Sequence, residues 1–283
     1  MQHAPRHIWL CADDYGISHA VNAAIRELIM RGRLNATSVM VLAPHFDRGD
    51  ATSLQMLNSG AKRAALGLHL TLTAPFEPIS EFTPKSDLHF WPMQKTLRAA
   101  VARRLDRNAL KVEIAAQIHA FAGAFGHLPD FIDGHQHVHL FPQVADALLE
   151  VMAKLTPKAW VRQCGRPRGA RNLRDRKALT LDMFSAGFRR KAHKAGIATN
   201  PAFAGSYDFS RHAVFAKIFP RFLKGLPNGG LIMCHPGFVD SELKRLDTLT
   251  HLREREYEFF MSDEFPKLLA AHNVALGRPG KAN

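Results

Sequence analysis

The clearest periodicity in the chain lies at residues 66–73. Leu66, Leu68, Leu70 and Leu72 alternate there with Gly67, His69, Thr71 and Thr73 without a fault. Strict alternation marks a strand with two distinct faces, predicted over Leu66–Thr73. In a parallel barrel the leucines would pack on outer helices and the other face would point into the lumen. Further strands are expected at Ile8–Ala12, Ala36–Leu42, Phe131–His135, Ala159–Gln163, Gly230–His235 and near Val274. Helical spacing runs between them, first at Ser18–Arg31, where Val21, Ala24, Ile25, Leu28 and Ile29 share a face. Ser18 reads as its cap and Gly32 as its stop. Other helices are expected at Asp47–Asn58, Thr96–Phe125, Pro142–Lys154, Arg211–Leu223 and Thr250–Leu269. Residues 74–95 hold four Pro with Phe76, Phe82, Phe90 and Trp91, the composition of a long functional loop. No linker composition and no repeat interrupts the alternation. The expectation is one α/β domain over 1–283, built on a mainly parallel sheet or barrel.

Composition narrows the class. With 283 residues, 46% hydrophobic and 22% charged, the chain is not disordered and can bury a large core without disulfides. Cys11, Cys164 and Cys234 match no zinc or disulfide spacing. The N-terminus lacks the apolar core of a signal peptide and no run reaches a membrane span, so a cytoplasmic protein is expected.

Charge changes the picture more. The net charge is +13, and thirteen Lys or Arg stand against two acids between Lys154 and Lys194. Such a block, segment 154–194, is either a solvated face or a surface for an anionic partner. Arg166, Arg168, Arg171, Arg174, Arg176 and Lys177 crowd its centre beside Pro167 and Gly169. Downstream, Phe215, Ile218, Phe219, Phe222 and Leu223 recur at helical spacing with Lys217, Arg221 and Lys224 between them. That helix either packs on the barrel or makes peripheral contact with an anionic membrane. No nucleic-acid-binding motif accompanies the block, and nucleic acid is not expected as a partner. A dimer is compatible with the sequence.

Candidate chemistry clusters where the strands end. Asp13-Asp14, His69, the run Asp133/His135/His137/His139 and His235 all fall there, which is where barrel enzymes place reacting groups. Asp13 and Asp14 would divide labour between a metal and a water, or one would merely cap the following helix. Alternation would set the Asp133 to His139 run on one face if the strand stays extended. His135, nearest the strand end, is the metal candidate; His137 and His139 have supporting or substrate roles. For His139 a hydrogen bond at the helix entry is an equal reading. His235, fixed before Pro236-Gly237, suits a general acid.

Together, Ala12-Asp13-Asp14-Tyr15-Gly16-Ile17-Ser18, Gly67 to Thr73, Asp133 to His139 and His235-Pro236-Gly237 resemble the YdjC/ChbG-like carbohydrate deacetylases. Val161-Arg162 and Arg253-x-x-Glu256 extend the likeness over nearly the whole chain. The resemblance implies a single-domain distorted (β/α) barrel related to polysaccharide deacetylase barrels, acting on N-acetylated sugars. It implies Asp14, His69 and His135 as metal ligands, Asp13 as base and His235 as acid. Arg162, His137 and Trp91 are candidate substrate contacts, with Phe76 and Phe90 as alternative sugar platforms. The resemblance implies one magnesium ion, whereas two imidazoles and a carboxylate better suit zinc or a similar metal. The loop after Thr73 and the basic segment depart from the family pattern and bear on the substrate, which would be an oligosaccharide or a lipid-linked sugar. Two other classes remain: a barrel hydrolase acting on a phosphoester or cyclic amide, and a non-enzymatic protein that binds anionic surfaces.

Overall fold

In a computed structural model of the chain, residues 4–61, 63–81, 88–167, 176–210 and 212–277 are described. Eight strands form one sheet, and every strand pair in it is parallel. They are β1 (Arg6–Tyr15), β2 (Ala36–Val39), β3 (Ala65–Leu70), β4 (Phe131–Gly134), β5 (Trp160–Val161), β6 (Phe203–Ala204), β7 (Leu231–Cys234) and β8 (Val274–Leu276). The order is β5-β4-β3-β2-β1-β7-β6, with β8 added to the start of β1. Helices connect the strands, as parallel pairing requires.

The sheet curls until its ends approach, but β5 and β6 do not pair. A looser seam joins them instead. Val161 bridges to Thr199 and donates its N–H to the Ala198 carbonyl at 2.9 Å. Phe203 N–H reaches the Gly165 carbonyl at 3.0 Å, and the Asn200 amide bonds both backbone groups of Gln163. This is the distorted barrel that the motifs implied. On β3, Gly67 faces Phe131, and a Cβ at that position would overlap the ring.

Local chemistry explains the helix bounds. Helix α1 (His19–Met30) starts because the Ser18 hydroxyl accepts from Val21 N–H at 3.3 Å, so neither aspartate is needed as a cap. It buries Val21, Ala24, Ile25, Leu28 and Ile29, and each larger side chain contributes about 1.5–3 kcal/mol by leaving water. Helix α2 (Arg48–Met56) is capped by Asp47. The helical stretch expected over about Thr96–Phe125 holds two helices, α3 (Met93–Val101) and α4 (Arg107–Phe125). Arg103 turns left-handed between them, and Asp106 caps the second by accepting from Asn108 and Ala109 N–H. Thr250–Leu269 also divides, into α9 (Arg253–Met261) and α10 (Glu264–Ala271). Pro266 is the reason: it has no N–H and fits only the first turn of a new helix. Helix α5 (Val144–Leu155) and α7 (Phe215–Leu223) follow expectation, while α6 (Arg176–Lys194) and the short α8 (Ser241–Leu246) were not anticipated.

Beyond β4 the expected extended run fails. Residues His135–Leu140 form a 3₁₀ turn, with Gln136 and His137 both left-handed. Asp133, His135, His137 and His139 therefore do not share one strand face, because the ladder stops at Gly134.

Candidate metal and acid–base centre

The C-terminal ends of β1, β3, β4 and β7 meet around one cleft lined by Asp13, Asp14, His69, His135, His137 and His235, with Ser206, Phe209 and Met233 among the walls. Two adjacent aspartates reach it through an irregularity in β1. Ala12 pairs with Thr37 but Tyr15 with Val39, so β1 carries one extra residue there, and Asp14 takes φ 67°. A bulge of this kind re-aims side chains, and here it breaks the alternation that would send neighbours to opposite faces.

The two carboxylates have separate partners. Asp14 Oδ1 lies 3.3 Å from His69 Nε2 and 3.2 Å from His135 Nδ1, while its Oδ2 accepts from Arg253 at 2.6 Å. Arg253, fully buried, is also held by Asp247 at 2.6 Å. Ligand atoms of Asp14, His69 and His135 all lie within 4.8 Å of one another. Asp13 instead receives both arms of Arg162, each at 2.6 Å. Arg162 also reaches Asp133 at 2.5 Å and Cys11 Sγ at 3.1 Å. Cys11, Asp13 and Asp133 form a second ligand-like group, but the guanidinium fills it.

Electrostatics follow from these contacts. Burial works against the Asp13 charge, yet Arg162 outweighs it and holds the carboxyl down at about 2. Asp14 is likewise held below the usual carboxylate range, by Arg253 and the two imidazoles against the effect of burial. His69 moves the other way: burial disfavours its charge, but Asp133, Asp14 and Asp13 raise it to about 10. Its Nδ1 is 2.7 Å from Asp133 and 3.0 Å from Ser38 Oγ. At that raised value both nitrogens carry protons, Nδ1 toward Asp133 and Nε2 toward Asp14; a cation that displaced the Nε2 proton would leave Nδ1–H on Asp133, the tautomer in which carboxylate-backed histidines bind metals. Two imidazole nitrogens against one carboxylate oxygen, in a field that draws positive charge, form a donor set that fits a divalent cation.

The acid candidate sits across the cleft. His235 is half-buried, and among the described residues its Nδ1 has no hydrogen-bond partner. Its backbone N–H donates to Glu256 Oε2 at 2.6 Å, and the Tyr207 hydroxyl donates to Oε1 of the same carboxylate at 2.7 Å. Burial pushes the Glu256 carboxyl up. Phe209, left-handed at φ 51°, sets its ring 5.8 Å from the His235 ring.

A family model of YdjC-like proteins matches residues 7–271. The chain belongs to the YdjC-like family. Among curated proteins, the chitooligosaccharide deacetylase of Escherichia fergusonii is 27% identical over 83% of this chain and 82% of its own length. That of Proteus mirabilis is 26% identical over 94% of both chains. The carbohydrate deacetylase of Clostridium beijerinckii is 26% identical over 94% of this chain and 95% of its own. Among solved structures, one from Enterococcus faecalis, described as a cellobiose-phosphate cleavage protein, superposes with TM-score 0.73 at 22% identity. It covers 97% of this chain and 98% of that one, which establishes the common fold.

Within this YdjC-like barrel, two expected substrate contacts are placed elsewhere. Arg162 is fully buried beneath Asp13 and Asp133, where it neutralises two carboxylates and meets no solvent. Trp91 does not line the cleft: the loop turns its ring under Lys95, whose Nζ lies 4.1 Å from the ring centroid. Phe76 and Phe90 are buried, with Phe76 packed edge-on against His135 at 5.7 Å. The aromatic wall of the cleft is Phe209, which no spacing in the sequence marked. His137 does line the cleft, and burial with nearby Arg162 lowers it to about 3, so it stays neutral. His139 bonds the Arg162 carbonyl at 3.0 Å and lies under the site. Arg168, Arg171 and Arg174, and the side chains of Arg176 and Lys177, fall outside the described residues. Arg166 is described, and Asp182 holds it in a forked ion pair. Among the described residues no helix is long and apolar enough to cross a membrane.

Proposed function

We propose that this chain is a metal-dependent hydrolase that removes the acetyl group from an N-acetylated sugar, in an oligosaccharide or on a lipid carrier. The observation that carries the reading is the buried Asp14/His69/His135 group opening on the cleft that Asp13 and His235 also line. Asp14, His69 and His135 would hold the ion, and two nitrogens with one oxygen favour zinc or a similar metal over magnesium. When bound, such an ion acidifies water and polarises an amide carbonyl. The chain's own residues then account for the proton movements. Asp13 stays ionised under the grip of Arg162 and accepts the proton of the attacking water. A carboxylate this acidic is a weak base and needs an acidified water. Asp133 fixes the tautomer of His69. His235, anchored by Glu256, donates a proton to the departing sugar amine, otherwise a poor leaving group. Phe209 offers an apolar wall beside that transfer.

Phosphoester chemistry of the two-metal kind would need a second cation site near 4 Å from the first. The only other ligand-like group among the described residues is filled by Arg162, which favours the one-metal amide hydrolysis.

The test is acetate release from N-acetylated chitooligosaccharides. Release that stops with chelator and returns with added zinc is the expected result. Metal-loaded protein that frees no acetate from any acetamido sugar would overturn the reading.

A further inference from the structure

The loop after β3 takes part in no step above, yet α4 turns two buried polar side chains toward it. Glu113 and Gln117 stand one turn apart on that helix, and both are 0% exposed. Gln117 extends the end of β3. Its Oε1 accepts from Thr71 N–H at 3.0 Å, and its Nε2 donates to the Thr71 carbonyl at 2.8 Å and to Glu113 Oε1 at 2.9 Å. Glu113 holds the loop further on. Its Oε1 accepts from Ile79 N–H at 3.3 Å, and its Oε2 from the N–H and hydroxyl of Ser80 at 2.9 and 2.6 Å. A carboxylate is tolerated at such depth only where donors converge on it, and here the donors are the loop itself. Residues 71–80 thus form a strap fastened at both ends to one helix.

The strap leads to two of the three ligand-like side chains. Thr71 lies two residues beyond His69, and its hydroxyl donates to the His69 carbonyl at 3.0 Å. Midway along, Phe76 is 2% exposed and sets its ring edge-on to His135 at 5.7 Å. Ala74 N–H donates to the Trp91 carbonyl at 3.1 Å and Phe90 N–H to the Phe76 carbonyl at 3.0 Å, so this middle portion is held in register. Among the described residues that line the cleft, none comes from 71–81. The strap therefore bears on the imidazoles and not on the sugar. A ring packed against His135 limits how that imidazole can turn away from Asp14, which it meets at 3.2 Å. We infer that Glu113, with Gln117, is a positioning residue for the metal group: it holds the strap so that Phe76 keeps the His135 ring aimed at Asp14 and His69. The inference rests on the metal-dependent deacetylase reading for its ion, but metal binding tests it without turnover.

The experiment titrates the full chain and its variants with Co²⁺, whose visible absorption bands follow ligand number and geometry. Glu113→Ala should bind Co²⁺ about 10-fold or more weakly and shift the bands, as lost support of a metal ligand typically does. Ser80→Ala removes one bond from the strap and leaves α4 intact. It should weaken Co²⁺ binding by about two- to three-fold, and it decides the matter if Glu113→Ala does not fold. Phe76→Leu should reproduce the Glu113→Ala loss, and combining the two should cost less than about two-fold more, because both act through the same contact. In acetate release from diacetylchitobiose, kcat should fall while KM stays within about two-fold. Unchanged Co²⁺ affinity and bands in Glu113→Ala, or in Ser80→Ala if only that variant folds, would overturn the role. Losses that add in full in the double variant would overturn it too. A rise in KM with Co²⁺ affinity intact would make the strap a substrate contact and overturn it as well. Co²⁺ binding that depends on Glu113 in a protein that releases no acetate overturns the deacetylase reading and leaves the positioning role standing.

Discussion

The two halves of the barrel rim are built differently. From β1 to β4 the rim is closed: Asp13, Asp14, His69 and Asp133 are at most 2% exposed, and each has a charged partner. From β6 to β7 it is open. His235 is half-buried, and Ser206 and Phe209 face the cleft from a loop. A cation site needs ligands that cannot move apart, whereas a proton donor and a sugar wall must meet a molecule that comes and goes. The closed half suits ligation and the open half suits substrate.

Removing ligands should break the closed half outright. His69→Ala or His135→Ala is expected to lose bound metal and acetate release together, read by elemental analysis and a coupled acetate assay; full metal occupancy in both would end the assignment. Arg162→Met comes next. It leaves Asp13 and Asp133 buried without their cation, and breaking such a pair costs about 3–5 kcal/mol of stability. Chemical denaturation checks this, and an unchanged midpoint would mean the carboxylates are not held as described.

Asp13→Asn should keep the metal and lose about 10²–10⁴-fold in turnover, since an amide accepts no proton from water. Near-normal turnover would remove Asp13 from the role of base. Asp133→Asn should weaken metal binding by about 10–100-fold, by freeing the His69 tautomer. Undiminished affinity in a competition titration would remove Asp133 from that role. The smallest effect concerns pH. Asp13 has a lower pKa folded than unfolded, so its stabilisation is complete above the unfolded value near 3.8 and lost as pH falls toward about 2. In metal-free protein, Asp13→Asn should flatten stability over that window, and a melt series from pH 5 to 2 would show whether it does.

The sequence made the closed half far more legible than the open half. Leu66–Thr73 alternates because both faces of β3 are buried on different neighbours, and Ser18 announces α1 by a local hydrogen bond. His69 stood out as the ionisable residue among leucines. The His135 to His139 run misled because its pattern is that of a strand, while two left-handed residues end the strand early. Arg162 read as a substrate contact because sequence carries the charge of a residue and not its depth. Tyr207 and Phe209 come from the loop after β6 and Glu256 from α9, and only the folded chain brings them to His235. Pro266 did carry the signal for the break between α9 and α10, and the apolar spacing across it concealed the boundary.

The seam at Val161 and Thr199 has a further consequence, for motion. Arg162 follows the last paired residue of β5, where, among the described residues, the barrel is held by a bridge and a few loop hydrogen bonds instead of a full ladder. Regions with few backbone bonds are where proteins open at the least free energy. A fluctuation there would draw the guanidinium away from Asp13 and so change the basicity of that carboxylate without touching the cleft. Amide hydrogen exchange at Val161 and Phe203 would then report on the same event that sets the charge on Asp13.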